Sequence, residues 1–533
     1  MLRTKPKLKY SGITLVLGNP SRYDKLSLLS AYAGCFFNDL CLRPEFNQMQ
    51  CDVRLADDPS PLLPDTRCII LLGEVACHKM IPQSRGNTIG EIRGSIYYYS
   101  GIPCIPTFFP QDAMDFKNFE VKLNPLNPDY APDAADETDE VDDFESTKRH
   151  GKTSRRNYAF WIQKDVIKCK AIVANGGKVP ATLEGDKPIY KIYPTSNDVI
   201  QLLSNTKGQT LFFDIETDYE EQNLQCFAFS FDGITIYSVP VLDNFYHPAY
   251  SSCHHILRAL AVAIRDNILV AHNGACFDFF VLAHKYRIPV NKVYDTMIAN
   301  HRIYPDIEKS LGHCTSLWTW QNFHKDEDSK GYMSREQMDA RLRYCGKDVY
   351  TMALIYKAQQ EFARKIPGLM DSIDTAMAAI VPYLITTLQG IKCDAAMVIA
   401  AAQENDKLMM QYDRCIKLLI GDKGMLDIRK CIKGKAGMFA GSNAQCITYF
   451  HEMLGYPVVA RSLKTQKPSL GKKAMYKLAL KFPENPVIQF VLAYRTIAKE
   501  FGTYKFIPWR TDDGKLGTHT LLEAPPEQQE FSV

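Results

Sequence analysis

The chain has 533 residues, of which 46% are hydrophobic and 23% are charged. This length exceeds what one hydrophobic core serves, so we expect several globular domains and not a fibrous or disordered chain. The formal net charge of +3 is too small to indicate a partner, so any such signal must come from local clusters of charge.

Signals for secretion, membranes and disulfides are weak. The first ten residues are basic but lack the apolar core of a signal peptide, and no continuous apolar run is long enough to cross a bilayer. The 16 cysteines form no Cys-x-x-Cys pair and mostly lie in apolar runs, as reduced buried thiols do. We therefore expect an intracellular protein that is neither secreted nor associated with a membrane.

The first 175 residues have the pattern of an α/β sandwich with a parallel sheet. Strand-like runs at 13–17, 68–72 and 96–99 alternate with helical stretches. An acid-rich stretch at 131–147 follows, with eight carboxylates between Asp133 and Glu145. Such a stretch cannot bury enough apolar surface to offset its ordering entropy, so we predict a solvated loop, after which a helix resumes near residue 157.

The central region, 205–365, begins with a strand that ends in two acids. Alternation places Leu211, Phe213 and Ile215 on one face and Asp214 and Glu216 on the other. Two carboxylates held this close repel each other unless a cation neutralises them, and hard oxygen ligands suit Mg²⁺ or Mn²⁺. The pattern predicts a metal site, although an Asp-x-Glu sequence also arises by chance.

A second acid follows an apolar strand. The run 268–271 turns through Asn273 and Gly274 into a helix that carries Asp278 in its first turn. An acid there is also favoured by the helix dipole alone, and Asn273 and Gly274 are common turn residues.

The third element lies in a long helical pattern at 336–364. Tyr344 and Asp348 are four positions apart and so share one face of this helix. A stripe of apolar residues marks the buried face: Met338, Leu342, Cys345, Val349 and Met352.

Together, Asp-x-Glu-Thr, Asn-x-x-x-Phe-Asp and Tyr-x-x-x-Asp, in this order and within 135 residues, resemble the three exonuclease motifs of the DEDDy superfamily. That resemblance implies a ribonuclease-H-like fold for 205–365 and a 3′-5′ exonuclease with two divalent metal ions. In such enzymes the ions, about 4 Å apart, activate water and stabilise the leaving 3′-oxygen.

The resemblance also implies roles for single residues. Asp214, Glu216 and Asp348 correspond to ligands of one catalytic metal. Asp214 also binds a second metal, towards which Asp278 acts directly or through water. Tyr344 orients and helps to activate the attacking water.

Other residues of the motifs correspond to substrate contacts. Thr217 meets the terminal nucleotide, and Asn273 is a further substrate-binding candidate. Asp295 is explained adequately as a helix cap, so we leave it outside the catalytic set.

Residues 371–533 are mainly helical in pattern and resemble the start of the polymerase region, the thumb, in family A DNA polymerases. The cues are 388–394, 441–445 and the Tyr-Arg-x-x-x-Lys sequence that contains Arg495 and Lys499. Between Arg461 and Arg510 there are eleven Lys or Arg residues against two acids, which favours phosphate contacts with duplex DNA over a merely solvated basic face. Arg495 and Lys499 are therefore DNA-binding candidates.

The palm and fingers motifs of that family are missing from the sequence. We therefore expect this chain alone to bind primer-template DNA without extending it. Two explanations stay open: a separate chain supplies palm and fingers, or the product is truncated.

The N-terminal region resembles the uracil-DNA glycosylase superfamily, through 15–20, 71–76, 93–94 and 106–110. The His-Pro pair of that superfamily is Phe109-Pro110 here, which removes a donor to the base or the developing anion. We therefore favour a non-catalytic DNA-binding or docking module, with residual glycosylase activity left open.

Fusions of this kind occur among phage-type polymerases. The resemblances together imply the proofreading portion of a family A DNA polymerase, acting in DNA replication in the cytoplasm of a bacterium or phage-infected cell. Two alternatives stay open: an RNA-trimming 3′-5′ exonuclease, and a non-catalytic scaffold for a partner polymerase chain.

Overall fold

The computed structural model describes residues 3–18, 37, 46–110, 157–179, 187–218, 222–243, 247–322, 324, 335–390, 395–431, 438–460, 468–504, 506–510 and 516–520. These residues form a mixed α/β protein with two mixed six-stranded sheets. The chain divides into two compact units, 1–388 and 389–533. The division lies later than residue 371, where sequence analysis begins the polymerase-like region.

The first sheet lies in the N-terminal region and has the strand order β1-β3-β2-β4-β6-β5. Its four central strands are parallel, and the short edge strands β1 and β5 pair antiparallel. The strands are β1 (Arg3–Thr4), β2 (Ile13–Leu17), β3 (Asp52–Leu55), β4 (Cys68–Leu72), β5 (Tyr97–Tyr99) and β6 (Ile102–Thr107). The predicted strands at 13–17 and 68–72 are confirmed. Both are buried throughout, as central parallel strands with two covered faces are.

Three helices are described in this region: α1 (Glu74–Met80), α2 (Ile89–Ile92) and α3 (Tyr158–Ala174). The third confirms the helix expected to resume near residue 157. It packs through Trp161, Ile162 and Val166 into the core that β2 and β4 also line. The predicted acidic loop at 131–147 lies outside the described residues.

The second sheet has the order β12-β11-β8-β9-β10-β7, with β8 in its interior. β8 pairs parallel with β11 and antiparallel with β9, so the sheet is mixed. Its strands are β7 (Ile189–Ile192), β8 (Thr210–Thr217), β9 (Leu224–Ser230), β10 (Thr235–Pro240), β11 (Ile268–Ala271) and β12 (Val293–Asp295). The predicted strand at 268–271 is confirmed.

The helices around this sheet are α4 (Ser196–Asn205), α5 (Cys253–Asp266), α6 (Asp278–Lys285), α7 (Thr296–Ile303), α8 (Leu311–Trp318), α9 (Arg335–Arg364) and α10 (Leu369–Gln389). The long helix predicted at 336–364 is confirmed as α9, which packs across β8, β9 and β10. All five residues of its predicted apolar stripe are buried.

Among the described residues, one helix, α10, is long enough and apolar enough to cross a membrane, judged by length and composition alone. Its inner face is buried in the same core as the second sheet, through Ile373, Met377, Ile380 and Leu384. That face is therefore used for packing within the protein.

The second unit is mainly helical in its described part. Its helices are α11 (Ala395–Lys430), α12 (Asn443–Ile447), α13 (Lys472–Lys481) and α14 (Pro486–Tyr504), with a π-helical stretch at Thr448–Met453. α11 is interrupted at Gly421, whose φ of 76° is not helical. A hairpin of β13 (Phe506–Arg510) and β14 (Leu516–Thr520) follows. The predominance of helix that the sequence predicted is confirmed for these residues.

Candidate active site

The end of strand β8 presents two acids on one face, as its alternation predicted. Phe213 and Ile215 are buried, whereas Asp214 and Glu216 are partly exposed. The pairing of β8 with β9 shifts register between Glu216 and Thr217, so the regular ladder ends where the two carboxylates emerge.

Helix α9 brings a third acid to this edge. One carboxylate oxygen from each of Asp214, Glu216 and Asp348 lies within 4.8 Å of the others, and no other such group occurs among the residues that the structure describes. Asp348 is only 3% exposed. Three carboxylates so close repel one another strongly in a partly buried site, which is the environment that a divalent cation relieves.

Asp278 lies beside this cluster and not among the three that converge. It begins α6, and its Oδ1 accepts the backbone N–H of Ile215 at 3.1 Å. Burial raises the pKa of Asp278 to about 7, against the opposing effect of its backbone hydrogen bonds. The contact with Ile215 ties the start of α6 to the strand that carries Asp214 and Glu216.

The turn between β11 and α6 is fixed by a buried acid. Asn273 has φ of 62°, in the left-handed region, where asparagine is tolerated. The carboxylate of Asp295 accepts the N–H groups of Asn273 and Ala275, both at 3.0 Å. Asp295 also caps α7, by accepting from Met297 and Ile298, so the predicted helix cap is confirmed. Its second role, in the turn before Asp278, was not predicted.

Tyr344 is one helical turn before Asp348 and is 7% exposed. Between them, Cys345 places its Sγ 3.4 Å from Oδ2 of Asp214. Burial raises the pKa of the Cys345 thiol, so the group stays neutral and acts as a donor to the Asp214 carboxylate. Helix α9 therefore supplies one acid of the cluster, Asp348, and a thiol donor to another, Asp214.

Two residues of the site were missed by sequence reasoning. Arg341, 8% exposed, places Nη2 3.3 Å from Oε2 of Glu216 and 2.6 Å from the carbonyl oxygen of Thr217. Its spacing of seven residues before Asp348 puts both on one helix face, which is a signal that could have identified it. His324 places Nε2 2.7 Å from Oδ1 of Asp348, and no periodicity or motif marks it in the sequence.

The two DNA-binding candidates of the second unit differ in their surroundings. The Arg495 guanidinium donates to the carbonyl oxygens of Ala440 and Leu470, and to Oδ1 of Asn443 at 3.1 Å. Lys499 is exposed. Arg495 is therefore hydrogen-bonded within its own unit, and a contact of Arg495 with DNA stays a prediction.

Comparison with known proteins identifies the central region. Residues 189–361 match the family model for the 3′-5′ exonuclease domain of DNA polymerase A proteins. No curated protein sequence matches the chain. Among solved structures, the POL domain of Pol1 from M. smegmatis, in complex with DNA primer-template and dNTP, has a TM-score of 0.40 and 13% identity. The match covers 63% of this chain and 56% of that one. Residues 189–361 are thus a 3′-5′ exonuclease domain of the DNA polymerase A type.

Proposed function

We propose that this chain hydrolyses DNA from its 3′ end, as the proofreading exonuclease of a family A DNA polymerase in DNA replication. One observation carries the proposal: the convergence of Asp214, Glu216 and Asp348 within the matched domain. A domain that had lost its activity would not need to keep three mutually repelling acids together.

The acidic cluster suits divalent metal ions. Asp214, Glu216 and Asp348 would hold one Mg²⁺ or Mn²⁺ through hard oxygen atoms, and Asp214 with Asp278 would serve a second. When bound, such ions supply water activation and neutralise negative charge at the phosphate.

The side chains around the cluster have separate tasks in this proposal. Tyr344 orients the attacking water through its hydroxyl, one helical turn from Asp348. Thr217, at the end of β8, and Asn273, in the turn before α6, contact the terminal nucleotide. Arg341 holds the Glu216 carboxylate and the Thr217 carbonyl group in one arrangement through the contacts described above.

The second unit is proposed to bind the DNA backbone. Lys472, Lys477, Lys481 and Lys499 are exposed on α13 and α14, in the segment where basic residues outnumber acids. Binding through these lysines releases counterions, so affinity for primer-template DNA should fall steeply with added salt. Because Arg495 donates to carbonyl oxygens of its own unit, its charge reversal tests folding as much as DNA binding.

The first sheet and helices α1 to α3, together called the N-terminal layer below, are proposed to form a non-catalytic, glycosylase-like module. Support comes from the four parallel strands at the centre of its sheet and from Phe109, which packs against the core instead of supplying a polar donor. Incubation with uracil-containing DNA should therefore leave no abasic sites. Release of uracil would overturn this part of the proposal.

The experiment that tests the function uses 5′-labelled single-stranded DNA and RNA of the same sequence. With Mg²⁺ or Mn²⁺, the protein should shorten the DNA stepwise from the 3′ end and release nucleoside 5′-monophosphates. Chelation with EDTA, or Asp214→Ala combined with Glu216→Ala, should abolish the ladder.

Each alternative predicts a different result from the same assay. Faster shortening of RNA than of DNA would favour an RNA-trimming enzyme. No shortening of either substrate would favour a scaffold for a separate polymerase chain. Equal rates for the parent and the double variant would show that the acidic cluster is not the active site.

A further inference from the structure

His324 contacts a proposed metal ligand from a segment outside the three exonuclease motifs. Its Nε2 lies 2.7 Å from Oδ1 of Asp348, and its ring packs edge-on to Tyr344 at 6.0 Å between centroids. The histidine is 7% exposed, so solvent competes little for this hydrogen bond. It therefore touches both functional residues that α9 contributes.

The direction of this hydrogen bond follows from its chemistry. An ionised carboxylate has only acceptor atoms, so the imidazole must donate its Nε2–H to Asp348. A carboxylate held at one oxygen cannot rotate freely, and its second oxygen keeps one orientation. Partners that hold metal ligands in this way are worth about 10- to 100-fold in metal affinity or activity.

The segment before His324 is held by the N-terminal layer. The N–H of Ile96 donates to Oδ1 of Asn322 at 2.8 Å. Nζ of Lys168 donates to the carbonyl oxygens of Gly94 and Thr319, both at 2.9 Å. These contacts join the loop before β5, together with helix α3, to Thr319 and Asn322 in the segment that precedes His324.

A buried arginine makes a further contact between the N-terminal layer and the segment before His324. Arg93 donates through Nη1 to Oγ of Ser316 at 2.7 Å, and its guanidinium is paired with Asp165 of α3. Both side chains of this pair are fully buried. The chain from 316 to 322 is therefore fixed at three points by residues of the N-terminal layer.

We propose that His324 is a positioning residue of the exonuclease site, which fixes the Asp348 carboxylate and is itself held in place by the N-terminal layer. This inference rests on the proposed function, because it assigns Asp348 to metal binding. It also gives the N-terminal layer a task in hydrolysis that requires no glycosylase chemistry.

The test compares four variants of the full chain. His324→Phe keeps a flat ring without the donor, and His324→Gln keeps an N–H donor near the position of Nε2. Asn322→Ala removes the acceptor for Ile96, and His301→Ala is a control on an exposed histidine of the same domain. Each variant is measured for Mn²⁺ affinity by the electron paramagnetic resonance of free Mn²⁺, for kcat and KM on single-stranded DNA, and for thermal unfolding.

His324→Phe should weaken Mn²⁺ binding and lower kcat by about 10- to 100-fold, with little change in KM. His324→Gln should restore most of both. Asn322→Ala should give a smaller loss, about two- to fivefold, as expected for one hydrogen bond at a distance from the metal. His301→Ala should match the parent protein.

Parent-like Mn²⁺ affinity and kcat in His324→Phe would overturn the proposal, and so would equal damage from Gln and Phe. If His324→Phe does not fold, Asn322→Ala decides: parent-like values there would remove the role of the N-terminal layer. A parent protein that cleaves no DNA would refute the proposed function instead, while the Mn²⁺ titration would still test His324.

Discussion

The buried pair of Arg93 and Asp165 supports a quantitative prediction about the N-terminal layer. Neither side chain is exposed to solvent, and the guanidinium donates to both carboxylate oxygens, with Nε 3.1 Å from Oδ2. Thr107 Oγ1 donates to the same carboxylate at 2.7 Å, and the centroid of the Trp161 ring lies 4.0 Å from the guanidinium carbon. Asp165→Leu therefore leaves a buried cation without its counterion.

Removal of one partner from a buried pair costs about 3 to 5 kcal/mol, whereas apolar replacement of both partners is often nearly neutral. We expect Asp165→Leu and Arg93→Met each to lower the free energy of unfolding by an amount in that range. The double variant should lose much less than the sum of the two single variants. The coupling between the two sites should therefore be large and favourable.

Urea denaturation of the parent, the two single variants and the double variant measures these free energies. Tryptophan fluorescence reports the transition of the region around Trp161, whose ring packs on the Arg93 guanidinium. Single variants that each cost less than about 1 kcal/mol, the value of an exposed pair, would refute the reasoning. Strict additivity in the double variant would refute it as well, because it would mean that the pair is not coupled.

Three further predictions concern other positions. Arg341→Met should lower kcat by about 10- to 100-fold by releasing Glu216, whereas Arg343→Met on the exposed face of the same helix should not. Gly274→Ala should cost about 1 to 3 kcal/mol of unfolding free energy, because the new Cβ would lie 2.6 Å from that of Ala271. Thermal unfolding measures this cost. The control is Gly502→Ala, whose Cβ would meet nothing within 4 Å.

The third of these predictions is a pH dependence. Burial lowers the pKa of Lys168 to about 7 from 10.5, so between these values the unfolded chain binds the extra proton. Stability of the parent relative to Lys168→Met should then rise with pH, by at most about 1.4 kcal/mol per unit between pH 7 and 10. Urea denaturation across that range measures the slope, and a flat or falling difference would contradict the assigned burial.

Local periodicity was sufficient to predict the elements that carry the acids. The alternation around Asp214 and the apolar stripe beside Tyr344 follow from periods of two and of about 3.6 residues, which a sequence displays directly. The structure has both elements at those positions.

Contacts between distant segments were not predictable in this way. His324 reaches Asp348 through a loop with no periodicity, and Asp278 finds the N–H of Ile215 only once β8 and β11 are paired. Arg495 shows the opposite problem, because a positive charge in a basic segment suggests DNA, whereas its guanidinium is engaged by carbonyl groups of its own unit. Only tertiary structure distinguishes these cases.

The most direct test of the central claim is the release of the 3′-terminal nucleotide by the parent protein and by Asp348→Asn, which keeps the shape of the side chain and removes its charge. The parent with Mg²⁺ should release the nucleotide as a nucleoside 5′-monophosphate, and the variant should fall to the level seen with EDTA. An Asp348→Asn protein that removes the 3′ nucleotide at the rate of the parent would contradict it.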